Sequence, residues 1–328
     1  DKLIVGGYLN TLRNTPQIYG KLYEISETGD NMYDLSKAVN KLLSFKITNL
    51  IHEFAPSVIV CTHPFPLQMV ANLKRKHKIN VPVMAIITDF VAHPFWHQDY
   101  VDAYVVANEH IKYDMVDRGI SEDIIHPLGI PVSCSFLHKR DRKTVLGEMG
   151  LEDKLTLLIM GGSLGFGEIR NTFLSLLNCK KDLQILAVTG KNIKLKRQLE
   201  LHADCSNKNV KIFSYTNRVA DLMDISDFII TKPGGMTISE ALVKELPIFI
   251  ISPIPGQEER NAQFLVNNGV AARITCNTKM DQILCQIIDN PLRVRHMKEM
   301  ARYLAKPNAA SDIAVLLESL AAKSKLCL

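Results

Sequence analysis

The stretch from Asp227 to Ala262 constrains the fold more than any other. A short, continuously apolar run (227–230) ends in Pro233-Gly234-Gly235. A helical pattern starts at once, and a second apolar run (247–251) follows. Runs with no polar alternation read as strands buried on both faces, which is the state of parallel strands covered by helices. The same punctuation recurs along the chain. In the first half, apolar runs at Ser57–Cys61, Val81–Thr88, Ala103–Ala107 and Ile124–Ile130 alternate with helical patterns at Tyr33–Phe54, Leu67–Lys78 and around His110–Arg118. In the second half, runs at Leu155–Met160, Leu183–Val188 and Val210–Phe213 lead into the stretch above. Helices are expected at Glu168–Leu177, Arg218–Met223, 257–268 and 279–304. This alternation predicts an α/β protein with a parallel, doubly wound sheet in each half. At 328 residues two domains are expected: residues 1–137, a polar linker at 138–153, and residues 154–328. Leu3–Val5 is only a stub of strand before Gly6-Gly7, and 8–30 runs irregular, so the first strand and turn of the N-terminal domain are expected to be missing.

Ligands of such sheets bind at the carboxyl ends of the strands, so the residues there are the candidates. A strand feeding a glycine turn and a helix N-terminus suits a diphosphate: backbone N–H groups approach the anion and the helix dipole favours it. Lys232, Gly234, Gly235, Met236 and Thr237 form that junction, and Glu240 lies about one turn on, placed to accept from a ribose. Gln257, Glu258 and Asn261 offer amide and carboxyl groups to sugar hydroxyls. A second glycine-rich turn, Gly161 to Gly167, follows a strand and includes Gly162, Ser163 and Gly165. No Lys-Ser/Thr pair follows it, and it lacks dinucleotide spacing. Gly190 and Lys191 end another strand, as do Phe213 and Tyr215, whose backbone amides suit a base edge or a plain turn equally. Together these read as a nucleotide-sugar site in the second domain. In the first, Asp89 and His93 follow a strand, beside Trp96, and His63 follows the neighbouring one. Aspartate and histidine together at a strand end can do acid–base work.

Composition removes several classes. No apolar run reaches the roughly 20 residues of a membrane-spanning helix. Seven cysteines are scattered, with no Cys-x-x-Cys pair and no metal spacing, which suits reduced thiols. The net charge of +5 arises in residues 151–328, with 23 Lys/Arg against 18 Asp/Glu. That excess suits an anionic ligand or membrane surface as well as an ordinary solvated face.

Thr231-Lys232-Pro233-Gly234-Gly235 with Thr237 and Glu240, and Pro255-Gly256-Gln257-Glu258 with Asn261, are the most specific pieces of a wider resemblance. With the Gly161–Gly167 turn, Gly190-Lys191-Asn192 and Thr88-Asp89 plus His93-Pro94 and Trp96, the chain resembles two related groups along nearly its whole length. These are the processive diacylglycerol glucosyltransferases and the monogalactosyldiacylglycerol synthases, in one clan with the peptidoglycan N-acetylglucosaminyltransferase. The resemblance implies the GT-B architecture, two Rossmann-like domains facing across a cleft. It implies an inverting, metal-independent hexosyl transfer, with no bound cofactor, from a UDP-sugar held by the second domain to diacylglycerol received by the first. The absence of an Asp-x-Asp triplet agrees with it. The expected site residues are then Asp89 and His93 for catalysis, His63 and Trp96 for acceptor or membrane, and the second-domain residues above for the donor. The family's base is a histidine after the first strand, so the main base is expected upstream of Asp1. The expected partners are a UDP-hexose, diacylglycerol and an anionic membrane surface, with no nucleic acid, and the expected location is the cytoplasmic face of the cell membrane. Two other readings stay open: transfer to a polyprenyl-linked acceptor, and nucleotide-sugar binding without turnover.

Overall fold

The computed structural model describes residues 47–161, 168–274 and 280–326. The described residues fall into two compact units: those up to Pro131, Pro255–Gln257 and those from Lys306 onward form the first, and Val132–Ile254 with Glu258–Ala305 form the second. The expected elements at Leu3–Val5, Gly6-Gly7 and 8–30 lie outside the described residues, as do Gly162, Ser163 and Gly165.

In the first unit a helix, α1 (47–54), precedes four parallel strands in the order β1 (Ile59–Cys61), β2 (Val83–Ile86), β3 (Ala103–Val105) and β4 (Ile125–His126). Helix α2 (Pro64–Arg75) starts where Pro64 presets the first helical φ, and ends with Lys74 and Arg75 facing the negative end of its dipole. Asp102 fastens the sheet: its carboxylate accepts from Val83 N at 2.7 Å and pairs with Lys74. Helix α3 (Glu109–Asp117) is capped by Asn108, whose Oδ1 accepts from Ile111 N at 3.0 Å.

The C-terminal helix (Ala309–Leu326) clusters with the first unit, whereas the boundaries read from sequence placed everything after 153 in the second domain. Residues from Lys306 belong to the first unit. Ile313 and Leu320, two turns apart on one face, pack with Met84, Ile86, Ala103 and Val105 of β2 and β3. The approach is closest at Gly129, where φ is +99° and an added Cβ would lie 2.3 Å from Lys306 Cβ. Gly129→Ala is expected to cost about 2–4 kcal/mol, from positive-φ strain and forced overpacking together. Gly119→Ala, where φ is +90° but the space is open, should cost only about 1 kcal/mol. Thermal unfolding of the two variants checks this: equal losses would contradict the close approach.

The second unit holds six parallel strands: β5 (Thr156–Met160), β6 (Gln184–Val188), β7 (Val210–Phe213), β8 (Phe228–Thr231), β9 (Ile248–Ile250) and β10 (Ala271–Arg273). Their order, β10-β9-β8-β5-β6-β7, is that of a doubly wound sheet, and the direction of winding reverses between β5 and β8. Every residue of β5, β6, β8 and β9 is buried, which is why these strands read as unbroken apolar runs. One face packs Leu157, Ile159, Ile185, Phe228, Ile230 and Phe249 against helices; the Phe228 and Phe249 rings are 5.4 Å apart.

The expected linker at 138–153 is part of this unit. It forms α4 (Arg142–Met149), capped by Asp141, whose Oδ2 accepts from Thr144 N at 2.8 Å, and closed by Gly150 at φ +60°. Arg142 reaches the carbonyls of Ile225 at 2.6 Å and Lys154 at 2.9 Å. The remaining helices are α5 (Ile169–Leu177), α6 (Ile193–Ala203), α7 (Val219–Asp224), α8 (Gly235–Val243), α9 (Gln257–Asn267), α10 (Met280–Ile288), α11 (Pro291–Leu304) and α12 (Ala309–Leu326). The helical stretch expected at 279–304 breaks at Asn290, whose side chain caps α11 ahead of Pro291. Among the described residues, no helix is long and apolar enough to cross a membrane.

Candidate functional site

Strands β5 and β8 are neighbours at the winding reversal, with Met160 opposite Thr231. The chain therefore leaves these two strands side by side at the carboxyl edge of the sheet, at Gly161 and at Lys232. A ligand crevice belongs at this point in a doubly wound sheet.

The turn after β8 is built to leave amides free. Gly234 is the N-cap of α8, and no side chain caps the helix. Ile238 N closes the first turn on Gly234 O at 3.0 Å, while the amides before it keep the positive end of the dipole. A Cβ at Gly234 would meet nothing within 4 Å, so the space beside the turn is open. Ser239 Oγ bonds back to Gly235 O at 2.9 Å.

The flanks hold this turn in place. Asn261 is fully buried, and its Nδ2 donates to Pro233 O at 3.1 Å. With no exposed surface in this structure, the side chain expected to meet sugar hydroxyls holds the turn. Glu258 accepts from Ile254 N at 2.8 Å and lies 3.7 Å from Lys232 Nζ. It orders the loop after β9 and places the Lys232 ammonium beside the turn. Ser252 in this loop has φ +42°, a strained value for a residue with a Cβ and one that sequence carries no signal for. Glu240 differs from its neighbours. It is half-buried, and among the described residues no hydrogen bond reaches its carboxyl. Burial pushes its pKa up from 4.5 to about 7. A desolvated acceptor of this kind can gain much from hydroxyl donors.

Two further strand ends complete the edge. Gly190, at φ +59°, turns the chain after β6, Lys191 is exposed, and Asn192 caps α6. Phe213 is half-buried, and its carbonyl already accepts from Thr189 N and Oγ1. Tyr215 is 63% exposed. Met236 and Thr237 lie in the first turn of α8, with the Met236 side chain exposed.

In the first unit, His63 follows β1, and Asp89 and His93 follow β2. Gln257, which clusters with this unit, donates its amide to the Asp89 carboxylate. Trp96 does not serve as a surface contact. Its residue is 3% exposed, and its carbonyl accepts from Tyr104 Oη at 2.8 Å, so the indole is part of the core.

Known proteins resemble this chain in both sequence and fold. Residues 1–132 match the monogalactosyldiacylglycerol (MGDG) synthase family, and residues 156–317 match the C-terminal domain of glycosyltransferase family 28. The processive diacylglycerol beta-glucosyltransferase of Bacillus cereus is 31% identical over 314 residues, covering 91% of this chain and 79% of that protein. Its counterpart in Bacillus mycoides is 32% identical over 273 residues, covering 82% and 69%. Among solved structures, MurG of Acinetobacter baumannii superimposes with TM-score 0.60 at 19% identity, covering 84% of this chain and 77% of that one. HepE of Anabaena with UDP and glucose superimposes with TM-score 0.57 at 14% identity, covering 84% and 81%.

Proposed function

Because the chain belongs to the family of diacylglycerol glycosyltransferases, UDP-sugar-dependent enzymes of the GT-B fold, we propose that it moves glucose or galactose from the UDP-sugar to the free hydroxyl of diacylglycerol, with inversion and without a catalytic metal. The observation that carries this reading is the α8 N-terminus at the winding reversal, which no side chain caps, with the Glu240 carboxyl one turn beyond, half-buried and without a hydrogen bond among the described residues.

The acceptor oxygen bonds to the anomeric carbon as the bond from that carbon to the diphosphate breaks. UDP leaves with the electron pair, and a general base takes the hydroxyl proton. Negative charge grows on the diphosphate in the transition state. Fixed amides at Gly235, Met236 and Thr237 stabilise it without reorganising, and Lys232 adds a cation. Glu240 accepts from the ribose, and Gly190 with Lys191 and the Phe213–Tyr215 strand end frame the remaining edge. In the first unit Asp89 is the carboxylate assigned here to assist the proton transfer. A two-chain lipid stays in its bilayer, so the enzyme works as a peripheral protein on the cytoplasmic membrane surface, and the net charge of +5 favours anionic lipid.

The test is transfer from radiolabelled UDP-glucose and UDP-galactose to vesicles containing diacylglycerol, with and without a chelator. Label in an extractable glycosyldiacylglycerol, at a rate the chelator leaves unchanged, is expected. Label only on added polyprenyl phosphate, or binding without any lipid product, would overturn the proposal.

A further inference from the structure

The tripeptide His-Pro-Phe occurs twice, at 63–65 and 93–95, and both copies sit just beyond the carboxyl ends of adjacent strands, β1 and β2. The two are built alike. His63 has extended backbone and caps α2, its Nδ1 accepting from Phe65 N at 3.3 Å. His93 has extended backbone and caps the short 3-10 turn Pro94–Trp96, its Nδ1 accepting from Phe95 N at 3.1 Å. The rings form one contiguous cluster: His63 to Phe65 at 5.3 Å, Phe65 to Phe95 at 6.0 Å, and Phe95 edge-on to His93 at 4.5 Å.

This geometry settles the chemistry each ring can do. An Nδ1 that accepts an amide proton carries the lone pair, so the neutral ring carries its proton on Nε2. Such a ring donates at Nε2 and has no free lone pair with which to take a proton there. The copies differ in exposure. His93 is 6% exposed and enclosed by the cluster, whereas His63 is open to solvent and Phe65 beside it is 43% exposed.

Building on the proposed function, we infer that the two histidines divide one design. His93 is a positioning residue that fixes the loop after β2, and His63 is the binding residue, donating Nε2–H to an oxygen of the diacylglycerol acceptor while Phe65 contacts its apolar part. His63 lies just beyond the carboxyl end of β1, the edge at which ligands of parallel sheets bind. Partial loss of water around the ring, on the side facing the cluster, lowers its pKa from the usual histidine value, which favours the neutral form that donates from Nε2. No proton is transferred by either ring.

Three substitutions separate donor from cap. Asparagine and aspartate both accept an amide proton at an N-cap, but only asparagine keeps a side-chain donor. His63→Asp is therefore expected to raise the KM for diacylglycerol about tenfold, the loss of one hydrogen bond, with kcat and UDP-glucose affinity held. His63→Asn should stay within about threefold of the unsubstituted enzyme, because cap and donor both remain. His93→Asn should also keep its activity, because the cap that fixes the loop remains. Equal KM values for His63→Asp and His63→Asn would overturn the binding role, and a collapse of kcat in His93→Asn would overturn the division. Nitrogen-15 NMR of the imidazoles reads the tautomer without any assay. Both rings are expected neutral with the proton on Nε2, and a proton on Nδ1 of either would sink the inference even if transfer proceeds. An unsubstituted enzyme that makes no glycosyldiacylglycerol while showing the expected tautomers would instead remove the proposed function, and with it the acceptor named for His63.

Discussion

Asp224→Ala should destabilise the second unit by about 3–5 kcal/mol, since removing one partner strands a buried charge. Lys244 Nζ lies 2.7 Å and 2.8 Å from the two Asp224 oxygens, and the side chains are 3% and 1% exposed. The carboxylate also accepts from Arg140 N at 3.1 Å, and the ammonium donates to His138 O at 2.8 Å. The pair thus ties the segment before α4 to the end of α7 and the residue after α8. Alanine at 224 leaves the ammonium with one neutral acceptor and orphans the Arg140 amide. For a unit of this size the loss corresponds to roughly 10 °C in Tm. Pairing Asp224→Ala with Lys244→Met should recover most of it, because an apolar replacement of a buried ion pair is often close to neutral. Calorimetric unfolding of the single and double variants decides. A single variant that melts with the unsubstituted protein would show that water reaches the pair.

Donor affinity should fall about 100-fold in Glu240→Ala, the loss of a charge-assisted hydrogen bond to the ribose. The pH dependence follows from the raised pKa. Below 4.5 the carboxyl is protonated both folded and unfolded, and burial costs nothing. As pH climbs through about 7 the folded carboxyl must ionise where water is scarce, so the empty protein loses stability over that window. Ribose hydroxyls donate to the ionised form. UDP-glucose affinity should therefore rise as pH passes through about 7, and Glu240→Gln should flatten that rise. UDP-glucose is the ligand of choice because its diphosphate is esterified at both ends and does not titrate near neutrality. Calorimetric titration at pH 6 and pH 8 reads both effects, and a pH-independent affinity would take Glu240 out of the ribose site.

The parts of this site that sequence discloses are those whose cause is local. β5, β6, β8 and β9 are buried on both faces, so each is a plain apolar run. The Pro233-Gly234-Gly235 turn is legible because two glycines between an apolar strand and a helical pattern leave the first amides of the helix uncovered. Other features depend on partners far along the chain. Nothing near Ile313 and Leu320 says that they meet β2 and β3 rather than the nearer sheet. Asn261 sits among polar residues and reads as a sugar contact until Pro233, 28 residues earlier, takes its amide. Trp96 in a polar loop resembles a membrane anchor, yet the Tyr104 hydroxyl holds its carbonyl against the core. Helix α4 did leave a local sign, in Asp141 and Gly150 at the two ends of eight residues, although its charged composition masks it.

The central claim is that the open amides at the start of α8 grip the diphosphate. Hydrogen–deuterium exchange of the protein with and without saturating UDP measures those amides directly. Slowed exchange concentrated in the peptide spanning 232–240 is the predicted result. Bound UDP that leaves that peptide exchanging at its free rate, with protection elsewhere, would contradict the account.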